Sequence, residues 1–226
     1  MYDNGKVVKR NISGSGLFVA KTQGKLYIVT AAHVAKSMDF TSYIIIRGNN
    51  DMPRKIMIMD LIDTATPHWK YHNRADLAVL KLTPKRSILA SGVLNQKFFS
   101  LNNISSDSVR SVSRDVQLTV IGFPLSLGIE KRFSPLTYRT YASSGFLTLP
   151  RADTQTYSEF IVLENPSVGG YSGGPVFDTS ITVINSMTST GEGTTCYGFM
   201  HGTLSDETGG KLAAVTPSFF LFDLIK

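Results

Sequence analysis

Three side chains of this 226-residue sequence have the types and spacing to act on one another: His33, Asp76 and Ser172. Ser172 sits in Gly169-Gly170-Tyr171-Ser172-Gly173-Gly174-Pro175, His33 in Val29-Thr30-Ala31-Ala32-His33-Val34, and Asp76 at the head of Asp76-Leu77-Ala78-Val79-Leu80-Lys81-Leu82. A serine hydroxyl is a weak nucleophile near neutral pH until a base takes its proton. Histidine has a suitable pKa for that task. A buried carboxylate then fixes the imidazole tautomer and stabilises the imidazolium. The oxyanion that develops needs two backbone N–H groups aimed at one point, and losing one such donor costs on the order of 3 kcal/mol. Glycines around a serine meet that need. Gly170 has no Cβ and can turn its N–H inward, while Gly173 and Gly174 admit neighbouring backbone. The N–H groups of Gly170 and Ser172 are therefore the expected oxyanion donors.

The elements that must position these groups read as short strands. Apolar or period-two segments run over residues 17–20, 25–30, 42–47, 55–61, 77–82, 116–123, 138–149, 159–164, 175–178, 194–201 and 211–216. Turn clusters separate them, among them Gln23-Gly24, Gly48-Asn49-Asn50-Asp51 and residues 206–210. Only 31–36 and 218–225 have a helical pattern. Many short strands with frequent turns point to an all-β sandwich or barrel. The polar stretch 100–114 is the best connector between two halves.

On these motifs the sequence resembles the chymotrypsin-like (trypsin-like) serine peptidase family, especially its disulfide-free bacterial and viral branch. Thr30-Ala31-Ala32-His33, Asp76-Leu77-Ala78-Val79-Leu80 and Gly170-Tyr171-Ser172-Gly173-Gly174-Pro175 match its three motifs, in that family's order. Gly14-Ser15-Gly16-Leu17-Phe18-Val19 is similar to its first strand, and Val120-Ile121-Gly122-Phe123-Pro124 to the start of its second barrel. The resemblance implies two six-stranded antiparallel Greek-key barrels and a short C-terminal helix. Residues 1–100 would form the barrel carrying His33 and Asp76, 101–115 the connector, and 116–226 the barrel carrying Ser172 and the helix. It also implies a serine endopeptidase working through an acyl-enzyme. Ser172 would attack the peptide carbonyl, His33 shuttle the proton and Asp76 orient His33.

The sequence also departs from the family. Tyr171 stands where digestive relatives carry an aspartate that pairs with a freed N-terminus, so activation by N-terminal insertion is not expected. The specificity pocket would be lined by Pro166, Ser167 and the strand holding Met200, His201 and Gly202. No acid occupies Pro166, so preference for Lys or Arg loses its usual cause. In relatives that cut after Glu or Gln, a histidine on this strand meets the substrate side chain. His201 falls a residue or two from that place, which leaves a structural or rim role open. Gly202 leaves room for an extended peptide backbone to pair with the strand.

Composition bounds the remaining readings. A content of 42% hydrophobic and 18% charged residues describes a globular chain. No apolar run approaches the ~18 residues of a membrane-spanning helix, so no membrane association is expected. Asp3, Asn4, Lys6, Lys9 and Arg10 interrupt any signal-peptide core, so the expected location is cytoplasmic unless a signal has been removed. The single Cys196 excludes an internal disulfide. Residues 1–100 hold 15 Lys/Arg against 6 Asp/Glu (+9), and residues 101–226 hold 8 against 11 (−3). The cations are scattered and form no nucleic-acid motif, so a solvated surface is favoured over nucleic acid as a partner. His68 and His72 lack a third ligand at metal-binding spacing, and neither metal nor cofactor is expected. The expected partner is a protein or peptide substrate, with a regulatory protein partner as a further reading. Beside the hydrolase stands a second class: a module that keeps the fold, binds extended peptides along 194–202 and is catalytically silent.

Overall fold

β-Branched and aromatic residues recur in the central strands, and Lys25–Thr30, Tyr157–Leu163 and Lys211–Pro217 bury most of theirs. The computed structural model describes residues 2–3, 6–7 and 13–225, except 65, 96, 152, 180, 185, 186, 191, 192 and 206. For 2–3, 6–7, 23, 181–184 and 187–190 only the backbone is described.

The first half contains a small hairpin of β1 (Tyr2–Asp3) and β2 (Lys6–Val7), then β3 (Leu17–Lys21), β4 (Lys25–Thr30) and the single helical turn α1 (Ala32–Ala35). It continues with β5 (Tyr43–Arg47), β6 (Pro53–Met57), the turn α2 (Ile58–Leu61), β7 (Lys70–Tyr71), β8 (Ala78–Leu82), α3 (Arg86–Ala90) and β9 (Phe99–Ser100). Five strands make one sheet in the order β7-β8-β4-β3-β9, with β3 and β9 parallel. β4 lies at its centre, and the register Val29↔Val79, Thr30↔Ala78 sets its C-terminal end beside the start of β8. That register brings the segment leading to His33 against the segment leaving Asp76.

The second half comprises β10 (Leu118–Gly122), β11 (Leu136–Thr140), β12 (Ala142–Pro150), β13 (Tyr157–Leu163) and β14 (Pro175–Asp178). After these come β15 (Ile181–Ile184), β16 (Met187–Thr190), β17 (Thr195–Ser205), β18 (Lys211–Pro217) and the turn α4 (Leu221–Leu224). Seven of these strands form a sheet in the order β11-β10-β14-β17-β18-β13-β12. Among the described residues β15 and β16 pair only with each other.

The chain is all-β, but the expected pair of closed six-stranded barrels is not what forms: among the described residues no sheet closes on itself. In the first half, among the described residues, the hairpin β5–β6 shares no ladder with the five-stranded sheet. Ile46 and Ile56 join it through side-chain packing, in one core cluster with Ile28, Leu80 and Leu82. In the second half, β11 and β12 are consecutive in the chain, separated by Tyr141 alone, yet they lie at opposite edges of the sheet. The chain therefore passes from one edge of the sheet to the other at Tyr141, and β12 enters its ladder with β13 through a register shift between Ala142 and Phe146. The expected C-terminal helix is a 3-10 turn followed by one α turn, Leu221–Leu224.

A core cluster joins the halves. Val19, Val29 and Leu77 from the first meet Phe177, Phe199 and Phe220 from the second. Cys196 is buried in it, and burial pushes its thiol up to about 12, so it stays a neutral packing group. No helix among the described residues is long and apolar enough to cross a membrane.

Candidate functional site

His33 leaves the core because its turn is so short. α1 buries Ala32, Val34 and Ala35, which leaves the His33 ring half-buried at the surface between the halves. Asp76 is set by a loop that His72 shapes. The His72 Nδ1 accepts from the N–H groups of Arg74 (3.2 Å) and Ala75 (2.9 Å), and the His72 backbone N–H donates to the Leu77 carbonyl (2.9 Å). Its Nε2 faces Asp223 at 3.2 Å, which ties the loop to the C-terminal turn.

Burial lowers the pKa of His72 below 6.5, outweighing the opposing pull of Asp223. Two N–H donors aimed at Nδ1 also require it to be unprotonated. The unfolded chain therefore binds a proton more readily, and the stability that His72 contributes is complete above pH 6.5 and lost as pH falls through its lowered folded value. The unfolding free energy of the wild type from urea titrations should drop over that window with a slope of at most about 1.4 kcal/mol per pH unit. In His72→Asn, whose amide oxygen can accept at the same place without titrating, this component of the slope should vanish.

The Ser172 segment is folded by its glycines. Gly170 (φ +107°) and Gly173 (φ +80°) occupy left-handed backbone. A Cβ on Gly170 would lie 2.5 Å from the Phe123 carbonyl oxygen. Ser15 stitches the segment to the first half. Its N–H donates to the Ser172 carbonyl (2.8 Å), and its hydroxyl donates to the Gly170 carbonyl (2.7 Å) while accepting from the Phe123 N–H (2.9 Å). The Thr30 hydroxyl closes the stitch on the Ser15 carbonyl (2.7 Å). In the sequence, Gly14 to Val19 reads only as a first strand and Ser15 is missed, although the flanking Gly14 and Gly16, where a Cβ would lie 3.1 Å from the Ser172 carbonyl oxygen and 2.9 Å from that of Val29, could have signalled the close approach. Tyr171 is buried edge-to-face against Tyr138 with ring centres 5.2 Å apart.

The connected cluster is His33–Asp76–His201, and it replaces the expected His33–Asp76–Ser172 relay. Asp76 Oδ2 accepts from Nδ1 of His33 (2.7 Å) and from Nδ1 of His201 (2.5 Å). Its Oδ1 accepts from the His33 backbone N–H (3.0 Å) and from Arg151 Nη2 (3.4 Å). The Ser172 hydroxyl instead donates to the His201 carbonyl (3.2 Å). Among the described residues, Ser172 and His33 share no hydrogen bond. The catalytic triad and the endopeptidase activity it implied are therefore corrected. The carboxylate is shared between two imidazoles, and the serine has no base engaged to take its proton.

An ionised carboxylate only accepts, so both Nδ1 atoms carry protons. Burial alone would raise the Asp76 pKa, but the hydrogen bonds from His201 and His33 outweigh it and hold the carboxyl well below its ordinary 3.8. Arg151 reaches the cluster from the loop after β12 and is itself buried, held by Asp153 and by the Arg74 carbonyl (3.0 Å). Nothing in the sequence around Arg151 signalled this, because its partner lies 75 residues away.

One ligand atom each from His33, Asp76 and His201 lie within 4.8 Å of one another. The two Nδ1 atoms stand at hydrogen-bond distance from Oδ2, whereas two ligands on a tetrahedral metal at about 2.0–2.1 Å lie roughly 3.3 Å apart. The arrangement is that of a hydrogen-bonded cluster.

The remaining candidates line the cleft differently. Pro166 is exposed, and the carbonyl of the buried Ser167 accepts from the Thr203 hydroxyl (2.8 Å). Met200 is wholly buried, and its backbone N–H and carbonyl pair with Gly174 (2.8 Å) and Gly173 (2.7 Å). The His201 ring is directed into the cluster and stacks near Phe160 at 5.0 Å. Gly202 has open space beside its Cα. Among the described residues, the N–H groups of Gly170 and Ser172 donate to no protein acceptor.

Comparison with known proteins places this geometry. The profile of the trypsin-like peptidase domain matches residues 14–184. No curated protein matches the chain. Among solved structures, the apo protease domain of MamO from Magnetospirillum magneticum is similar at 15% identity and TM-score 0.58, with 97% of this chain and 92% of that one covered. The active form of the Rv3671c protease from M. tuberculosis is similar at 14% identity and TM-score 0.54, covering 93% and 70%. A mutant of human heparin binding protein (CAP37) is similar at 14% identity and TM-score 0.51, covering 96% and 84%. At such identities the likeness is one of fold.

Proposed function

Because the chain belongs to the trypsin-like peptidase domain family, and because its Ser172 hydroxyl is committed to the His201 carbonyl, we propose that it is a catalytically silent module of that fold which binds extended polypeptide. The shared Asp76 carries this reading. A carboxylate held by two imidazoles and an arginine is a rigid structural hub, whereas a relay needs one imidazole poised on the serine.

The binding surface proposed is the free edge of β17. β14 pairs with β17 only as far as Phe199, and the glycines after Ser172 cover Met200. From Gly202 to Ser205 the strand has β18 on one side and, among the described residues, no strand on the other. An extended peptide can add there through main-chain hydrogen bonds, and Gly202 offers no side chain to block it.

The test pairs binding with reactivity. A labelled random-sequence peptide pool should bind the intact protein saturably and be recovered uncut. A fluorophosphonate probe should leave Ser172 unlabelled, and Ser172→Ala should bind the pool as the wild type does. Probe labelling or peptide cleavage that Ser172→Ala abolishes would overturn the reading.

A further inference from the structure

The donor pair beside Ser172 is kept in a site with no engaged base. Gly170 is buried, its N–H and that of Ser172 meet no acceptor among the described residues, and Gly170 is held at φ +107° by the approach of Phe123 and Pro124. Backbone N–H groups without a protein partner are a small minority in folded proteins. Neighbouring N–H groups around a left-handed residue form a concavity selective for anions.

In a hydrolase such a pair serves an oxyanion that exists only during reaction. With the Ser172 hydroxyl given to the His201 carbonyl, no such anion develops here. A group that fits the same donors must carry its charge in the ground state, and a carboxylate does.

We infer that the Gly170–Ser172 N–H pair captures the C-terminal carboxylate of the bound polypeptide, so that the module recognises chain ends rather than chain interiors. This rests on the peptide-binding reading above and names its ligand. One carboxylate oxygen takes the N–H pair. The other faces the mouth of the cleft, where the half-buried His33 ring stands 6.0 Å from that of His201 with its Nε2 unengaged among the described residues. The β17 edge from Gly202 onward guides the backbone leading to that end. A terminal carboxylate is carried there by the main chain itself, whereas an Asp or Glu side chain would have to leave the ladder to reach the pair and would lose rotamer freedom.

The experiment measures fluorescence anisotropy of the intact protein with random-sequence octapeptides labelled at the N-terminus, made once as free acids and once as C-terminal amides. Tight binders are resynthesised in both forms. The acid should bind about tenfold more tightly than its amide, as expected for exchanging a charge-assisted pair for a neutral one. His33→Gln, folded by circular dichroism, should shrink that advantage. Equal affinity of acid and amide would overturn the chain-end proposal and leave peptide binding standing. So would amides with an internal Asp or Glu that match the acids. Binding of neither form would overturn both.

Discussion

Replacing Asp76 by Asn is expected to lower the stability of the fold by about 3–5 kcal/mol, the usual cost of removing one partner from a buried ionic cluster. The Asp76 side chain is fully buried and receives four donors: two imidazole Nδ1–H groups, the His33 backbone N–H and Arg151. An amide of the same shape offers one acceptor oxygen and sets its NH2 against donors. An imidazole can answer by moving its proton to Nε2. The backbone N–H and the guanidinium cannot, and the buried arginine loses part of its countercharge. Urea unfolding followed by the emission of Trp69, the single tryptophan, reads the change. The sign with pH follows from the lowered pKa. The carboxylate contributes fully above its unfolded value of 3.8, and that contribution is lost as pH falls below it. Asp76→Asn should therefore lose less stability than the wild type on acidification through that range. A loss under 1 kcal/mol at neutral pH would show that the cluster is not a structural hub.

Gly173→Ala is expected to cost as much, about 3–5 kcal/mol, for two reasons that add. At φ +80° an L residue is strained. Its Cβ would also lie 2.2 Å from the Thr30 hydroxyl and 2.4 Å from the Ser15 carbonyl oxygen, the atoms that stitch the Ser172 segment to the first half. Gly24→Ala separates the two terms. Gly24 has φ +74° with nothing within 4 Å of the added carbon, so it should show the conformational cost alone, about 1–2 kcal/mol. If the two variants lost equal stability, the close approach at Gly173 would contribute nothing.

Much of the fold was legible in local pattern. Lys25–Thr30, Pro175–Asp178 and Lys211–Pro217 are strands within a residue of their expected bounds, because a half-buried strand writes its period into its own residues. Where the chain bends, the signal fails. The expected strand 138–149 is broken at Tyr141, and the expected strand 55–61 ends in the helical turn Ile58–Leu61, since sheet packing overrides propensity. The hairpin of β15 and β16 was not read at all. At the site, His33, Asp76 and Ser172 were found as motifs, and their order identified the family. Arg151 and Ser15 were missed, because each acts on residues far along the chain.

By itself, the sequence determined the all-β class, the family and the glycine-shaped backbone around Ser172, since these follow from residue type and short-range spacing. Only the tertiary structure decided what the three motifs do together. His201 is 125 residues from Asp76 in the chain, yet its Nδ1 lies 2.5 Å from the carboxylate, and its carbonyl accepts the Ser172 hydroxyl. A hydrogen bond depends on tenths of an ångström and on direction. Motif spacing carries neither, so the same three residues that spell a relay in the sequence are joined in space as a His–Asp–His cluster.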